Sequence, residues 1–155
     1  MKRGISFQIP NKYGSFLGEI LRPINTSSYN WYIGGEESYL AINGELDEPL
    51  FPKMICGMNG GELKNIIENS TYYLIFANLN AFPIGKSVTE LTTYKEYIES
   101  ECLLSLLVID SSYVSIYCKD PDLIENLYKN ALNNNFEKLK YVTDDNDTRT
   151  KLSVW

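Results

Sequence analysis

The chain has 155 residues, of which 44% are hydrophobic and 22% charged, with a formal net charge of −6 and no histidine. This length and composition are typical of one soluble globular domain and argue against a disordered or fibrous chain. The acidic balance argues against a nucleic-acid surface, and the lack of histidine excludes serine and cysteine triads and imidazole-ligated zinc.

The apolar runs and the cysteines predict a cytoplasmic protein. The longest apolar run, residues 103–109, is far shorter than the roughly 20 residues that span a bilayer. The residues that follow Met1 lack the unbroken apolar segment of a signal peptide. Cys56, Cys102 and Cys118 are odd in number and form no CxxC pair, which is typical of neither a disulfide framework nor a structural zinc site. We expect no membrane association, no metal and no cofactor.

The N-terminal third predicts a strand, a short helix and a hairpin. Residues 4–9 alternate apolar and polar side chains, as a half-buried strand does. Residues 13–21 place their apolar side chains on one helical face. Residues 29–33 and 38–42 predict two paired strands, joined by a glycine turn at residues 34–37.

The remaining residues predict four more strands and three helices. Residues 43–58 lack periodicity and predict a long surface connection. The strands are predicted at 71–79, 103–110, 113–117 and 136–142, and the helices begin after caps at Asn59, at Thr92 or Thr93, and at Asp120. The predicted fold is a single α+β domain at residues 1–143, with a mostly antiparallel sheet and three to four helices packed on it. An acidic turn and C-terminal tail follow at residues 144–155.

Two motifs imitate known sites. Gly85-Lys86-Ser87 follows a predicted strand like a phosphate-binding loop, but Asn80 stands at the first glycine position and Pro83 removes a backbone donor. We interpret it as an ordinary turn. The acidic residues 144–147 lack the glycine and glutamate that a calcium loop requires, so we interpret them as a solvated turn.

The glycine-rich start of the second helix has two interpretations. Asn59, Gly60 and Gly61 would present bare backbone amides to an anion, because a helix N-terminus carries partial positive charge. A flexible turn with an asparagine cap explains the same residues without a ligand and is the simpler interpretation.

An aromatic and acidic cluster on the predicted hairpin is the main candidate site. It consists of Trp31, Tyr32, Glu36, Glu37 and Tyr39. Alternation places Trp31 and Tyr32 on opposite faces, so one set of rings would fill the core while the other is exposed. Exposed aromatic rings beside carboxylates suit a protein interface or a sugar-stacking groove, whereas core packing is the simpler interpretation.

Three segments resemble a small family of uncharacterised proteins from spore-forming Gram-positive bacteria. They are MKRGISFQIPNKYG at residues 1–14, YNWYI at residues 29–33 and DSSYVSIY at residues 110–117. The resemblance covers nearly the whole chain. It implies a cytosolic bacterial protein and assigns no activity or site residue.

Two functional hypotheses follow. The first is a non-catalytic protein-binding module, immunity-like or regulatory, whose partner has a basic surface or is a second copy of the chain. The alternative is a small-molecule-binding protein or a carboxylate-dependent hydrolase. The first hypothesis predicts a broad, shallow aromatic patch. The second predicts a deep pocket with a carboxylate of strongly displaced pKa, and the sequence identifies no catalytic residue for it.

Overall fold

The computed structural model describes residues 1–51, 57–152 and 154, and at residues 35 and 36 the backbone alone. Within these ranges the chain forms eight β-strands and four α-helices. The strands are β1 (Lys2–Gln8), β2 (Tyr29–Ile42), β3 (Glu45–Pro49), β4 (Met58–Asn59), β5 (Tyr72–Pro83), β6 (Leu104–Ile109), β7 (Tyr113–Cys118) and β8 (Glu137–Thr143). The helices are α1 (Phe16–Ile20), α2 (Gly60–Asn69), α3 (Tyr94–Glu99) and α4 (Pro121–Asn133).

The strands form one antiparallel sheet in the order β3-β2-β5-β6-β7-β1-β8, with β4 paired to the beginning of β2. The first strand therefore lies between β7 and β8, so it pairs with the last two strands of the chain. The α+β fold class, with a mostly antiparallel sheet and helices packed on it, is confirmed.

Two hydrophobic clusters lie on opposite faces of the sheet, because successive side chains of a strand point to opposite sides. Leu106 and Ile116 belong to the larger cluster, which also includes side chains of α1, α2 and α4. Their chain neighbours Leu107 and Tyr117 belong to the smaller cluster, which α3 and the last described residues help to form. We call the two sides the first face and the second face.

The C-terminal segment (residues 147–152 and 154) packs on the second face. Leu152 has no exposed surface, and its amide donates to the carbonyl of Thr92 at 2.9 Å. The sequence predicts a tail at residues 144–155. The described part of this segment is instead an integral part of the domain.

β2 is one continuous strand, so the predicted turn at residues 34–37 is wrong. Its register against β5 shifts within those residues, as in a β-bulge, and β5 continues to pair with it on both sides of the shift. The turn lies instead at Asn43-Gly44, whose φ angles of 54° and 78° are those that a type I′ hairpin requires. β3 and β4 therefore occupy part of the predicted connection at residues 43–58, of which residues 52–56 lie outside the described ranges.

α3 and α4 begin directly after the capping residues that the sequence predicts. Asp120 precedes α4, whose first residue is Pro121, and the carboxylate accepts from two amides of the first turn at 2.9 and 3.3 Å. Thr93 precedes α3 and accepts from the amide of Glu96 at 3.1 Å. α1 is shorter than the predicted helix at residues 13–21, because the chain before it pairs with β5. No helix in the described ranges has the length and apolar character needed to cross a membrane.

Candidate functional site

The hairpin arm (residues 42–49) comprises the end of β2, the turn and β3, and all its residues are exposed. The exposed fractions of Ile42 and Leu46 are 49% and 47%. β3 is the last strand of the sheet, and its outer edge pairs with no strand among the described residues. The arm therefore offers apolar side chains beside an open backbone edge, which natural proteins usually cover or protect.

Three tyrosines lie near Leu46 of the arm. Together with Leu46 they form the tyrosine patch (Tyr13, Tyr39, Leu46 and Tyr73). The rings of Tyr13 and Tyr73 meet edge to face with centroids 5.9 Å apart, and Tyr39 is the cross-strand neighbour of Tyr73. Tyr13, Leu46 and Tyr73 line a shallow depression of about 400 Å³. Such amphipathic rings supply contact area and hydroxyl groups at protein interfaces.

The arm is acidic. Glu45, Asp47 and Glu48 are exposed, and none of them forms an ion pair with any residue that the structure describes. Lys12 borders the depression in the tyrosine patch. Because these three carboxylates are not neutralised by a described side chain, their negative potential is directed at solvent and at any molecule that approaches the arm.

Trp31 is completely buried, so its predicted role at a partner surface is wrong. Its indole nitrogen donates to the carbonyl of Thr26 at 3.1 Å, which satisfies the polar atom inside the core. Strand alternation turns Tyr32 to the second face, where it is half-buried against the smaller cluster and lies opposite Asn80 of β5. Core packing, the simpler of the two interpretations, describes Trp31 correctly.

The other predicted partner-binding residues have different positions. The side chain of Glu36 lies outside the described part of the structure. Glu37 is half-buried and lies opposite Phe76 of β5. Tyr39 belongs to the tyrosine patch. Sequence reasoning missed Leu46 because it placed the turn at residues 34–37, although Asn43-Gly44 is the stronger hairpin signal.

The glycines at the start of α2 have a packing role. The side chain of Asn59 accepts from the amide of Gly61 at 2.8 Å, so the cap already occupies that donor. A Cβ atom at Gly60 would clash with the carbonyl oxygens of Thr26 and Tyr29. Cap geometry and close backbone approach thus account for these residues, and an anion at Asn59, Gly60 and Gly61 stays a prediction.

A deeper cavity, the N-terminal cleft, lies between the beginning of β1, α3 and α4. Its volume is about 550 Å³, within the range of about 300–1,000 Å³ that is usual for small-molecule sites. Its walls include the rings of Tyr94 and Tyr97 and the side chains of Ile98 and Ile124. Sequence reasoning missed this cavity, because its lining residues come from the beginning of β1, the end of β7, two separate helices and the residue that follows β8.

Ion pairs neutralise two of the basic side chains in the cleft. Lys2 Nζ lies 2.7 Å from Glu125 Oε2, and Arg3 Nε lies 2.9 Å from Asp144 Oδ1. The hydrogen bond from Lys2 lowers the pKa of Glu125, and that from Arg3 lowers the pKa of Asp144. Lys119 has no side-chain carboxylate within 4.0 Å among the described residues.

Lys119 is fixed by other contacts. Its Nζ atom donates to the carbonyl oxygen of Ser100 at 2.7 Å and lies 4.8 Å from the centre of the Tyr97 ring. Desolvation by burial lowers the pKa of Lys119. The structure thus orients an ammonium group beside the cleft that forms no ion pair with a described side chain, although the more distant charge of Glu101 raises its pKa.

Several buried polar side chains of β5 and β6 lie on the second face of the sheet. Asn80 is completely buried, and its Oδ1 atom accepts from the hydroxyl of Ser105 at 2.6 Å. Within the described ranges, Asn78 Oδ1 and Asn80 Nδ2 have no hydrogen-bond partner. Because Asn80 lies inside a strand, its segment does not form a phosphate-binding loop, and an ordinary turn after Pro83 fits the backbone.

Comparisons with known proteins place the chain in a family. A family model described as "Protein of unknown function (DUF2691)" matches residues 2–153. The chain is 49% identical, over 99% of its length and 100% of the relative, to the "Uncharacterized protein YncE" of Bacillus subtilis (strain 168). No solved structure matches it. The resemblance to an uncharacterised family of spore-forming Gram-positive bacteria is confirmed, and the chain belongs to the DUF2691 family.

Proposed function

We propose that this protein is a cytoplasmic, non-catalytic protein-binding module and that its partner docks on the hairpin arm and the tyrosine patch. The observation that carries the proposal is the exposed stretch of residues 42–49. It combines a sheet edge that no described strand covers, large apolar side chains, and carboxylates that form no ion pair with a described residue. Singly exposed apolar residues are ordinary, but a contiguous aromatic and aliphatic patch beside an open edge is typical of an interaction site.

The chemistry of the arm selects a partner with a basic extended segment. An extended segment would add a strand to β3, with backbone hydrogen bonds giving affinity. Glu45, Asp47 and Glu48 would repel acidic competitors and would attract a segment rich in lysine and arginine more strongly than an uncharged one. The tyrosine patch would take an apolar side chain of the same partner.

Site-specific crosslinking tests this surface. Leu46 on the arm and Leu132 on α4 are exposed by 47% and 59%, so they form a matched pair for a photo-crosslinking amino acid. In the producing cell, we expect a crosslinked protein from position 46 and none from position 132. Equal crosslinking from both positions would contradict a specific arm interface.

Charge reversal then tests the basic partner. The double variant Asp47→Lys and Glu48→Lys should abolish the crosslink at position 46, because like charges replace the complementary ones. Glu90→Lys with Glu101→Lys changes the net charge equally at exposed positions outside the arm and should leave the crosslink intact. A crosslink that survives both changes would contradict the electrostatic selection of the partner.

The N-terminal cleft favours a second candidate function, the binding of a small molecule. Its volume and its aromatic and aliphatic walls are those of a ligand site. A hydrolase is less well supported, because Glu125 and Asp144, the carboxylates at the cleft, have lowered pKa values and stay ionised and paired to basic side chains. A general acid near neutrality needs a raised pKa.

A further inference from the structure

The walls of the N-terminal cleft define the body of its ligand. Tyr97 comes from α3, Ile124 from α4, and Ile98 is half exposed at the opening. Burying aromatic and aliphatic surface against such walls is favourable in proportion to the apolar area removed from water. A ligand that fills the cleft therefore has an apolar body.

The charges around the cleft define the head of the ligand. Glu125 and Asp144 already pair with Lys2 and Arg3, so a cationic ligand would have to compete with two ion pairs that are already formed. Lys119 is the basic side chain at the cleft that has no such pair within the described ranges, and its ammonium group is oriented by Ser100 and Tyr97. A charge-assisted hydrogen bond to an anion would satisfy a remaining donor of that group.

We propose that the N-terminal cleft binds a small amphipathic acid, whose apolar body lies between α3 and α4 and whose single anionic group binds Lys119. This inference rests on the second candidate function and names its ligand class. It is independent of the hairpin arm, because the two sites share no residue.

Two fluorescent probes of the same shape test the proposal with the full chain. One is 8-anilinonaphthalene-1-sulfonate, which has an apolar body and one anionic group, and the other is N-phenyl-1-naphthylamine, which lacks the sulfonate. Binding is measured by fluorescence titration and located by the isoleucine methyl signals in NMR. Ile98 and Ile124 report on the cleft, whereas Ile42 and Ile84 are exposed elsewhere and serve as internal references.

The variant Lys119→Met removes the ammonium group but keeps an unbranched side chain that can pack on the Tyr97 ring. We expect it to weaken binding of the sulfonate at least about tenfold and to leave binding of the uncharged amine unchanged. Lys86→Met removes an exposed lysine outside the cleft and should change neither affinity, which controls for net charge.

The outcomes separate the proposal from the function on which it rests. Stronger binding of the sulfonate than of the amine, with signals of Ile98 and Ile124 shifted and the advantage lost in Lys119→Met, supports the amphipathic acid. Equal binding of both probes in the cleft, unaffected by Lys119→Met, overturns the anionic group while the cleft remains a small-molecule site. If neither probe shifts Ile98 and Ile124, the small-molecule function of the cleft is overturned as well.

Discussion

Two neighbouring glycines at the start of α2 show how differently the same residue type is used. At Gly60 the helix approaches the backbone of Thr26 and Tyr29 so closely that any Cβ atom would clash with their carbonyl oxygens. At Gly61 an added Cβ would meet only the side chain of Asn59, at 3.1 Å. Only Gly60 is therefore required by packing.

We expect Gly60→Ala to destabilise the protein by more than about 2 kcal/mol, because backbone atoms must shift to admit the methyl group. Gly61→Ala should change the free energy of unfolding by less than about 1 kcal/mol, since alanine favours helices and the contacting side chain can move. Urea denaturation of both variants measures the difference. Similar values for both would show that the close approach at Gly60 relaxes at little cost.

Hydrogen bonds to a carboxylate at the start of α3 make the stability of the protein depend on pH. The Glu96 carboxylate accepts hydrogen bonds from the hydroxyls of Thr92 at 2.7 Å and Thr93 at 3.1 Å. These bonds lower the pKa of Glu96 from its ordinary value of 4.5. Since the folded pKa lies below the unfolded one, the stabilisation is fully present above the unfolded pKa and is lost as pH falls through the folded pKa.

We expect Glu96→Gln to destabilise the protein near neutral pH and to have a shrinking effect as the pH falls below the ordinary value of 4.5 and through the lowered pKa of the folded protein, where the wild-type carboxyl becomes protonated. Free energies of unfolding of both proteins across this range provide the measurement. Glu90→Gln, also at an exposed position, is the control. A stability difference that is constant with pH would mean that the hydrogen bonds to Glu96 are not linked to its charge.

Sequence patterns predict most elements because their signals are local. Asp120 and Thr93 cap helices that begin as predicted, and the period-two pattern of residues 4–9 identifies β1. The pattern fails at residues 34–37, where glycines occur in a bulge and imitate a turn. The chain can continue through a bulge there only if a long partner strand pairs with it on both sides. That partner is β5, which comes from a distant part of the sequence.

The candidate sites were less predictable, because each is assembled from separate segments. The tyrosine patch brings together Tyr13, Tyr39, Leu46 and Tyr73, of which sequence reasoning identified one. Periodicity tells which face a residue occupies but does not tell which residues of other segments share that face. Trp31 shows the same limit, since alternation separates it from Tyr32 without telling which of the two is buried.

At the scale of the whole molecule, each face of the sheet carries a hydrophobic cluster, and the last described residues form part of the cluster on the second face. Leu152 has no exposed surface and packs with Leu107 and Tyr117. Tyr117 also donates to Asp147 at 2.9 Å. The C-terminal segment therefore contributes to global stability.

We expect Leu152→Ala to destabilise the protein by about 2–5 kcal/mol, the usual effect of truncating a fully buried leucine. Leu132→Ala removes the same atoms from a side chain that is 59% exposed and should change stability by less than about 0.5 kcal/mol. Chemical denaturation compares the two variants. If both variants change the free energy of unfolding only slightly, the C-terminal segment contributes little to the stability of the domain.

The place of β1 between β7 and β8 has a consequence for how the protein is made. β1 is synthesised before both of its partner strands, and it can pair only once Tyr117 of β7 and Val142 of β8 have been made. Until then its two edges remain open, and the sheet is complete only once the last strand is available. Pairing over such sequence distances slows folding and exposes strand edges to other chains. The chain is therefore most exposed to aggregation before β7 and β8 have paired with β1.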